Sequence, residues 1–219
     1  MTSTLRTDAV VGVLDRLVAA GLREDEPGKE RVVRRETELG HKVYGRERAE
    51  LYGTAPIAVT REVGELLYVL ATAAKARMIV EFGASVGFST IHLAAAARDT
   101  SDATVITTEL DERKAQLAHE NLAAAGLADL VDLRVGDAQT TLADLSAPVD
   151  LLFIDGWNDL YLPILALVEP RLRPGALVIA DLSAGDPSCE AYRTHVEDPA
   201  NGYFTITLPL DAGVTVSTR

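Results

Sequence analysis

The chain has 219 residues, 47% hydrophobic and 25% charged, which is enough apolar mass for one large α/β domain and too little length for two comfortable ones. Its net charge of −12 repels phosphate backbones and anionic lipid, so neither nucleic acid nor a membrane surface is an expected partner. One cysteine, Cys189, excludes an intrachain disulfide framework and a thiolate-rich metal site, and suits a reduced, cytoplasmic setting.

Arg6, Asp8, Asp15 and Arg16 interrupt the opening stretch, so it lacks the apolar core of a signal peptide. No later apolar run reaches membrane-spanning length. Val10, Val11, Val13, Leu14, Leu17 and Val18 fall at helical spacing between about Asp8 and Gly21. Pro27 and Gly28 predict a break, with a second, highly charged helix from Glu30 to Leu51. That helix has few apolar residues, so it is expected to lie over the domain without entering its core. Residues 1–53 are therefore expected to be a helical lid or dimerisation segment, and 54–219 the binding domain.

From Pro56 the text changes. TREVGELLYVLATAAKA reads as a helix with Val63, Leu66, Leu67, Leu70 and Ala74 on one side. RMIVEFG is a β-rich run stopped by Gly83, and FSTIHLAAAARD a helix. ATVITTEL is a strand, DERKAQLAHENLAAAG a helix capped by Asp111 and ended by Gly126, and VDLRVGD a strand. VDLLFID, LYLPILALVEPRL and GALVIADL follow as strand, helix and strand, the last after the turn RPG. The tail YFTITLPLDAGVTVSTR predicts an antiparallel hairpin around Asp211-Ala212-Gly213. Helices alternating with Val/Ile/Leu-rich strands predict an α/β, Rossmann-like, doubly wound and mostly parallel sheet. The C-terminal hairpin and the N-terminal helices are added to it.

Ligands of such sheets sit at the carboxyl ends of the strands. There, EFGASVGFST places Gly83 and Gly87 where backbone can approach a ligand closely. Ser89 and Thr90 open a helix whose first N–H groups are free for an anion. Glu109 can accept both hydroxyls of a ribose, and Asp137 the exocyclic amine of an adenine. With Glu81 and Asp155, four successive strands each bring an acid to one edge. Gly83 and Gly87 could equally form a mere tight turn. Their G-x-x-x-G spacing is not the G-x-G-x-x-G of dinucleotide binders, which weighs against a nicotinamide-dependent oxidoreductase. An adenosine joined to a cationic centre, as in S-adenosylmethionine, suits an acidic rim better.

IVEFGASVGFSTIHLA, TELDERKAQLAHENLAAAG, FIDGWNDLYLP and LRPGALVIAD, in that order, resemble the class I S-adenosylmethionine-dependent methyltransferases. Within them they resemble the catechol O-methyltransferase-like, bacterial O-methyltransferase family. The preceding VTREVGELL has a counterpart too, so the likeness covers about three-quarters of the chain. It implies a cofactor site of Val59, Glu81, Gly83, Ser85, Gly87, Ser89, Glu109, Leu110, Gly136, Asp137, Ala138, Asp155 and Trp157. Glu109 would hold the ribose. Asp137, Ala138 and Gln139 would flank the adenine, with Trp157 packed on it, and Asp155 and the Val59 backbone would lie near the methionine moiety. S-adenosyl-L-homocysteine would be the product.

The chain departs from that family where the family binds a divalent ion. The ion's ligands there are the acid matching Asp155 and an Asp-Asn pair, which here reads Asp181-Leu182. The catalytic lysine position is Asn158, and the acid of the terminal hairpin aligns with Thr215. No metal is therefore expected. Candidate bases are Asp155, Asp181 and His41, with Tyr44 beside the last; His92 and His195 suit structural or exposed roles better. The expected activity is metal-independent O-methylation of a small phenolic or otherwise hydroxylated acceptor, by a possible homodimer. The alternatives are a metal-dependent catechol-type enzyme and a non-catalytic S-adenosylmethionine-binding protein.

Overall fold

The computed structural model describes residues 3–43, 45–53, 57–100, 102–182 and 186–219; Tyr44 and the boundary at Thr54 to Pro56 lie outside them. Seven strands, β1 (Met78–Phe82), β2 (Thr104–Glu109), β3 (Val131–Val135), β4 (Val149–Ile154), β5 (Leu172–Asp181), β6 (Phe204–Leu208) and β7 (Val214–Thr218), form one sheet. Its order is β3-β2-β1-β4-β5-β7-β6. The first five strands pair in parallel, and β7 pairs antiparallel with both β5 and β6. The order reverses between β1 and β4, which opens a crevice at their carboxyl ends.

Alternation along the strands builds two cores. Ile79, Val105, Leu151, Phe153 and Ile179 face one side, and Val80, Ile106, Leu152, Ile154 and Val178 the other. The first side is covered by α3 (Arg61–Ala73), α4 (Phe88–Asp99) and α5 (Glu112–Ala124). α4 is buried throughout residues 88–97, with His92 among otherwise apolar or small side chains. Asp111 starts α5 by accepting from the Arg113 and Lys114 amides. The second side is covered by α7 (Tyr161–Val168) and α8 (Glu190–Glu197). α8 and the one-turn α6 (Ala138–Thr141) fall in stretches whose sequence was given no helix.

Two expectations need correction. α1 runs unbroken from Asp8 to Leu39, with Pro27 inside it. The helix survives because neighbours hold it on the far side of the proline: the Tyr52 ring packs on Gly28, where a Cβ would come within 2.7 Å of it, and Val32 packs with Val43 and Tyr52. The break falls instead at Gly40 (φ +72°), and α2 covers only Gly45–Tyr52. β5 also starts earlier than GALVIADL. Its first residue pairs with Val149, and the register then shifts before Leu151 pairs with Leu177, so the RPG turn becomes a bulge within the strand.

The N-terminal segment is also more than a cover. Val10, Val13, Leu14 and Leu17 belong to the first core, and Arg16 donates to Asn121 of α5 at 2.7 Å. From Leu17 onward α1 also borders the crevice, through Leu17, Val18, Gly21 and Lys29, together with Arg48 and Tyr52 of α2.

Candidate active site

The crevice is a cavity of about 1010 Å³. At its floor β1 and β4 end side by side. A Cβ on Gly83 (φ +101°) would stand 2.5 Å from the Asp155 carbonyl oxygen, and one on Gly156 2.3 Å from the Phe82 ring. Only glycine therefore fits at either position, and the backbone itself forms the floor.

The rim residues come from the strand ends and the loops after them. Val59, Gly83, Ser85, Glu109, Leu110, Gly136, Asp137, Ala138, Asp155 and Trp157 all line the cavity. Glu109 ends β2, and its carboxylate accepts from the Ser85 amide (2.8 Å) and the Asp111 amide (2.9 Å). It thereby fixes the glycine loop to its own strand. Burial pushes its carboxyl up, against those backbone bonds and the Lys114 charge. Asp137 caps α6 by accepting from the Gln139 amide at 2.9 Å, so one of its oxygens is already engaged.

Three expected cofactor residues and one expected base do not line the cavity. Glu81 is fully buried within β1 and accepts from Thr90 and Thr107, each at 2.6 Å. It lies beneath the loop and not on the rim, and burial raises its carboxyl. Gly87 (φ +90°) faces Ala118 of α5, whose Cα a Cβ would approach to 3.3 Å. Ser89 is buried in the first turn of α4. His41 is exposed beyond the end of α1, with Nδ1 against the Lys42 carbonyl. Trp157 lines the cavity but packs in the small core of the N-terminal cover, with its ring 6.4 Å from that of Tyr52 and the Arg48 guanidinium 5.7 Å away.

At the other end stand Asp155, Tyr161, Asp181, Leu182 and Asp211. Burial, followed by the charges of Asp181, Glu81 and Asp211, pushes the Asp155 carboxyl well above the carboxylate range. Burial and Asp211 push Asp181 up to about 7, and its Oδ1 has no protein partner among the described residues. Tyr161 donates to the Asp181 backbone oxygen at 2.5 Å. The hairpin's contribution is not Thr215, which is fully buried beside the Tyr192 hydroxyl, but Asp211. Its turn is bolted to β5 by the Leu182 amide donating to the Gly213 carbonyl at 2.8 Å.

The donor set does not match the ion of catechol-type enzymes. Leu182 is a buried hydrocarbon, and the Asn158 amide is spent on Asp186 at 2.9 Å. Among the described residues no three His, Cys, Asp or Glu side chains stand at ligand spacing.

Lys29, Arg48 and Tyr52 of the cover, together with Asp186 and Asp211, also line the cavity and had no place in the expected site. Asp211 could have been suspected, since an acid in a hairpin next to a ligand-binding strand end is accessible to that ligand. Arg48 and Lys29 had only their position in a charged segment to mark them.

A family model described as a methyltransferase domain matches residues 80–181. The chain is 38% identical over 126 residues to catechol O-methyltransferase of Mycobacterium tuberculosis, a stretch covering 57% of this chain and 56% of that one. It thus spans little more than half of that relative's length. It is 30% identical over 224 residues to a Mycobacterium sp. (strain JLS) protein assigned as an O-methyltransferase, covering 89% of this chain and 98% of the relative. Among solved structures, the O-methyltransferase TomG of Streptomyces achromogenes, involved in tomaymycin synthesis and in complex with S-adenosylmethionine, is 27% identical with a TM-score of 0.64. That match covers 90% of each chain. Sheet order and cleft define a Rossmann-like class I methyltransferase. Within that class, the chain belongs to the S-adenosylmethionine-dependent O-methyltransferases.

Proposed function

We propose that this protein transfers the methyl group of S-adenosylmethionine to an oxygen of a small acceptor without a divalent ion, and that the acceptor is not a simple catechol. The observation that carries this reading is the pairing of Leu182, a hydrocarbon where an oxygen ligand is needed, with Asn158, an amide already bound to Asp186. Losing ion and lysine together frees the acceptor from having to be a vicinal diol.

The cofactor supplies a methyl group on a positively charged sulfur. Glu109 would accept the ribose hydroxyls, Leu110, Asp137 and Ala138 would flank the adenine, and Asp155 would face the cationic end. Asp181, or Asp155 beside it, would receive the hydroxyl proton as the new C–O bond forms and the old S–C bond breaks. α1 from Leu17 onward, with α2, would act as a lid, excluding water and completing the acceptor pocket. Catalysis would rest chiefly on holding acceptor and methyl in line, worth about 7–11 kcal/mol in well-oriented systems.

The test is dialysis against a chelator, followed by turnover of a phenol and catechol panel with and without Mg²⁺. Unchanged turnover supports the reading. A clear rise on adding Mg²⁺, or efficient methylation of catechol, would return Asp155 and Asp181 to metal binding. A second reading, a non-catalytic S-adenosylmethionine-binding protein, draws on the absence of a lysine at 158. Tight cofactor binding with no turnover across the panel would favour it.

A further inference from the structure

We propose that Asn158 is a positioning residue: by holding Asp186 it straps the wall after β4 to the wall after β5 across the acceptor end of the cleft, keeping Trp157 against the cover. The inference rests on reading that end of the cleft as the acceptor pocket.

The strap is specific on both sides. The Asn158 amide nitrogen donates to Asp186 Oδ2 at 2.9 Å. Asp186 Oδ1 accepts from the Ser188 amide (2.9 Å) and the Ser188 hydroxyl (2.6 Å), capping the 3₁₀ turn Pro187–Cys189. Burial works against the charge on Asp186, but the Ser188 and Asn158 hydrogen bonds and the nearby Arg48 guanidinium hold it below the usual carboxylate range. The Asn158 bond is thus made to an ionised partner.

Both residues line the cavity, as does Ser188. Asn158 opens a second 3₁₀ turn, Asn158–Leu160, which Trp157 precedes directly. Fixing Asn158 therefore fixes Trp157, whose ring meets Tyr52 and Arg48 from the cover. Arg48 also lies over the Tyr52 ring at 5.8 Å and reaches Glu36 at 3.3 Å, so the cover's own ion pairs end at this point. An asparagine suits the position because it gives Asp186 a donor without adding a charge beneath the cover.

Trp157 is the chain's single tryptophan, so its fluorescence reports the strap without an acceptor. Asn158→Asp places a carboxylate against Asp186 and should break the strap. Trp157 emission should then shift to the red and its acrylamide quenching should rise, because losing a hydrogen bond to a charged group shifts the closed–open equilibrium by about tenfold or more. The exchanged pair Asn158→Asp with Asp186→Asn restores donor and acceptor in reverse and should recover the parent spectrum. Asn158→Ala, which removes the donor without repulsion, should give an intermediate result if the aspartate variant does not fold.

Parent-like quenching in both Asn158 variants, or no recovery in the exchanged pair, would overturn the inference. Calorimetry with S-adenosylmethionine on the parent keeps the two readings apart. If the parent itself does not bind that cofactor, the proposed function falls, and the quenching comparison still decides the strap.

Discussion

In the proposed function Glu109 has two tasks, holding the glycine loop and binding the cofactor. Its two oxygens already hold the Ser85 and Asp111 amides, and each oxygen keeps a lone pair with which the residue, which lines the cavity, could accept from a ligand. Glu109→Ala should weaken S-adenosylmethionine binding by about 1.5–3 kcal/mol, the range for hydrogen bonds to a charged group. Glu109→Gln keeps an accepting oxygen and should lose less. Calorimetry on both would show this, and parent-like affinity in the alanine variant would take Glu109 out of the site. Asp181 offers a pH test. With its carboxyl raised to about 7, turnover governed by Asp181 as proton acceptor should rise through that pH and flatten in Asp181→Asn. Stability runs the opposite way. A folded pKa above the ordinary value contributes stability that is complete below about 4 and is lost as pH rises through about 7. Urea titrations should therefore favour Asp181→Asn over the parent more at pH 8 than at pH 4. A pH-rate profile identical in parent and variant would remove Asp181 as the base.

At the level of elements, α3 and α4 meet through a glycine. His92 is fully buried, with Nδ1 on the Phe88 carbonyl at 2.9 Å, and its ring lies on Gly64, where a Cβ would come within 2.6 Å. Burial drops its pKa to about 4. Because the folded value lies below the unfolded one, this neutral histidine contributes stability that is full above about pH 6.5 and is lost as pH falls toward 4. His92→Gln should reduce the parent's acid-side loss by about 3 kcal/mol, the free energy of a shift of that size. Urea titrations at pH 7 and pH 4.5 would measure it, and equal losses in both proteins would contradict the buried neutral ring. The same paragraph of sequence also shows what was legible. FSTIHLAAAARD carries its helix in local terms, with Gly87 before it, and α5 carries its own cap in Asp111. Pro27 carries a local message too, but Tyr52, 25 positions away, overrides it by packing on Gly28. Likewise the bulge in β5 is settled by its partners, since Asp150 takes Arg173 on one side and the Arg77 and Met78 amides on the other.

Across the whole molecule the cleft divides the same way. Its floor and the rim that carries Glu109 follow from topology, because strand ends at a reversal of sheet order must converge; Gly83, Glu109 and Asp155 could be placed from the strand pattern alone. Arg48, Tyr52, Asp186 and Asp211 could not, because each arrives on a segment whose place depends on long-range closure. Thr215 and His41 went astray for the same reason. Motif order does not fix the register of a terminal hairpin, and it does not say which side of a covering helix faces inward.

The position of β7 bears on how the chain acquires its shape during synthesis. β7 follows β6 in sequence but lies inside it, between β5 and β6. Until Val214–Thr218 has left the ribosome, β5 has an open edge and β6 has no partner at all. In that interval Phe204 and Ile206, which stay exposed even in the finished sheet, sit on an uncharged segment with free backbone donors and acceptors, the kind of edge that recruits other chains. Asp211 and the Leu182–Gly213 bond that anchors it are put in place only when β7 slots in. The side of the cleft built from Glu109 and Asp137 can therefore be assembled on a nascent chain, while the end that carries Asp211 waits for β7.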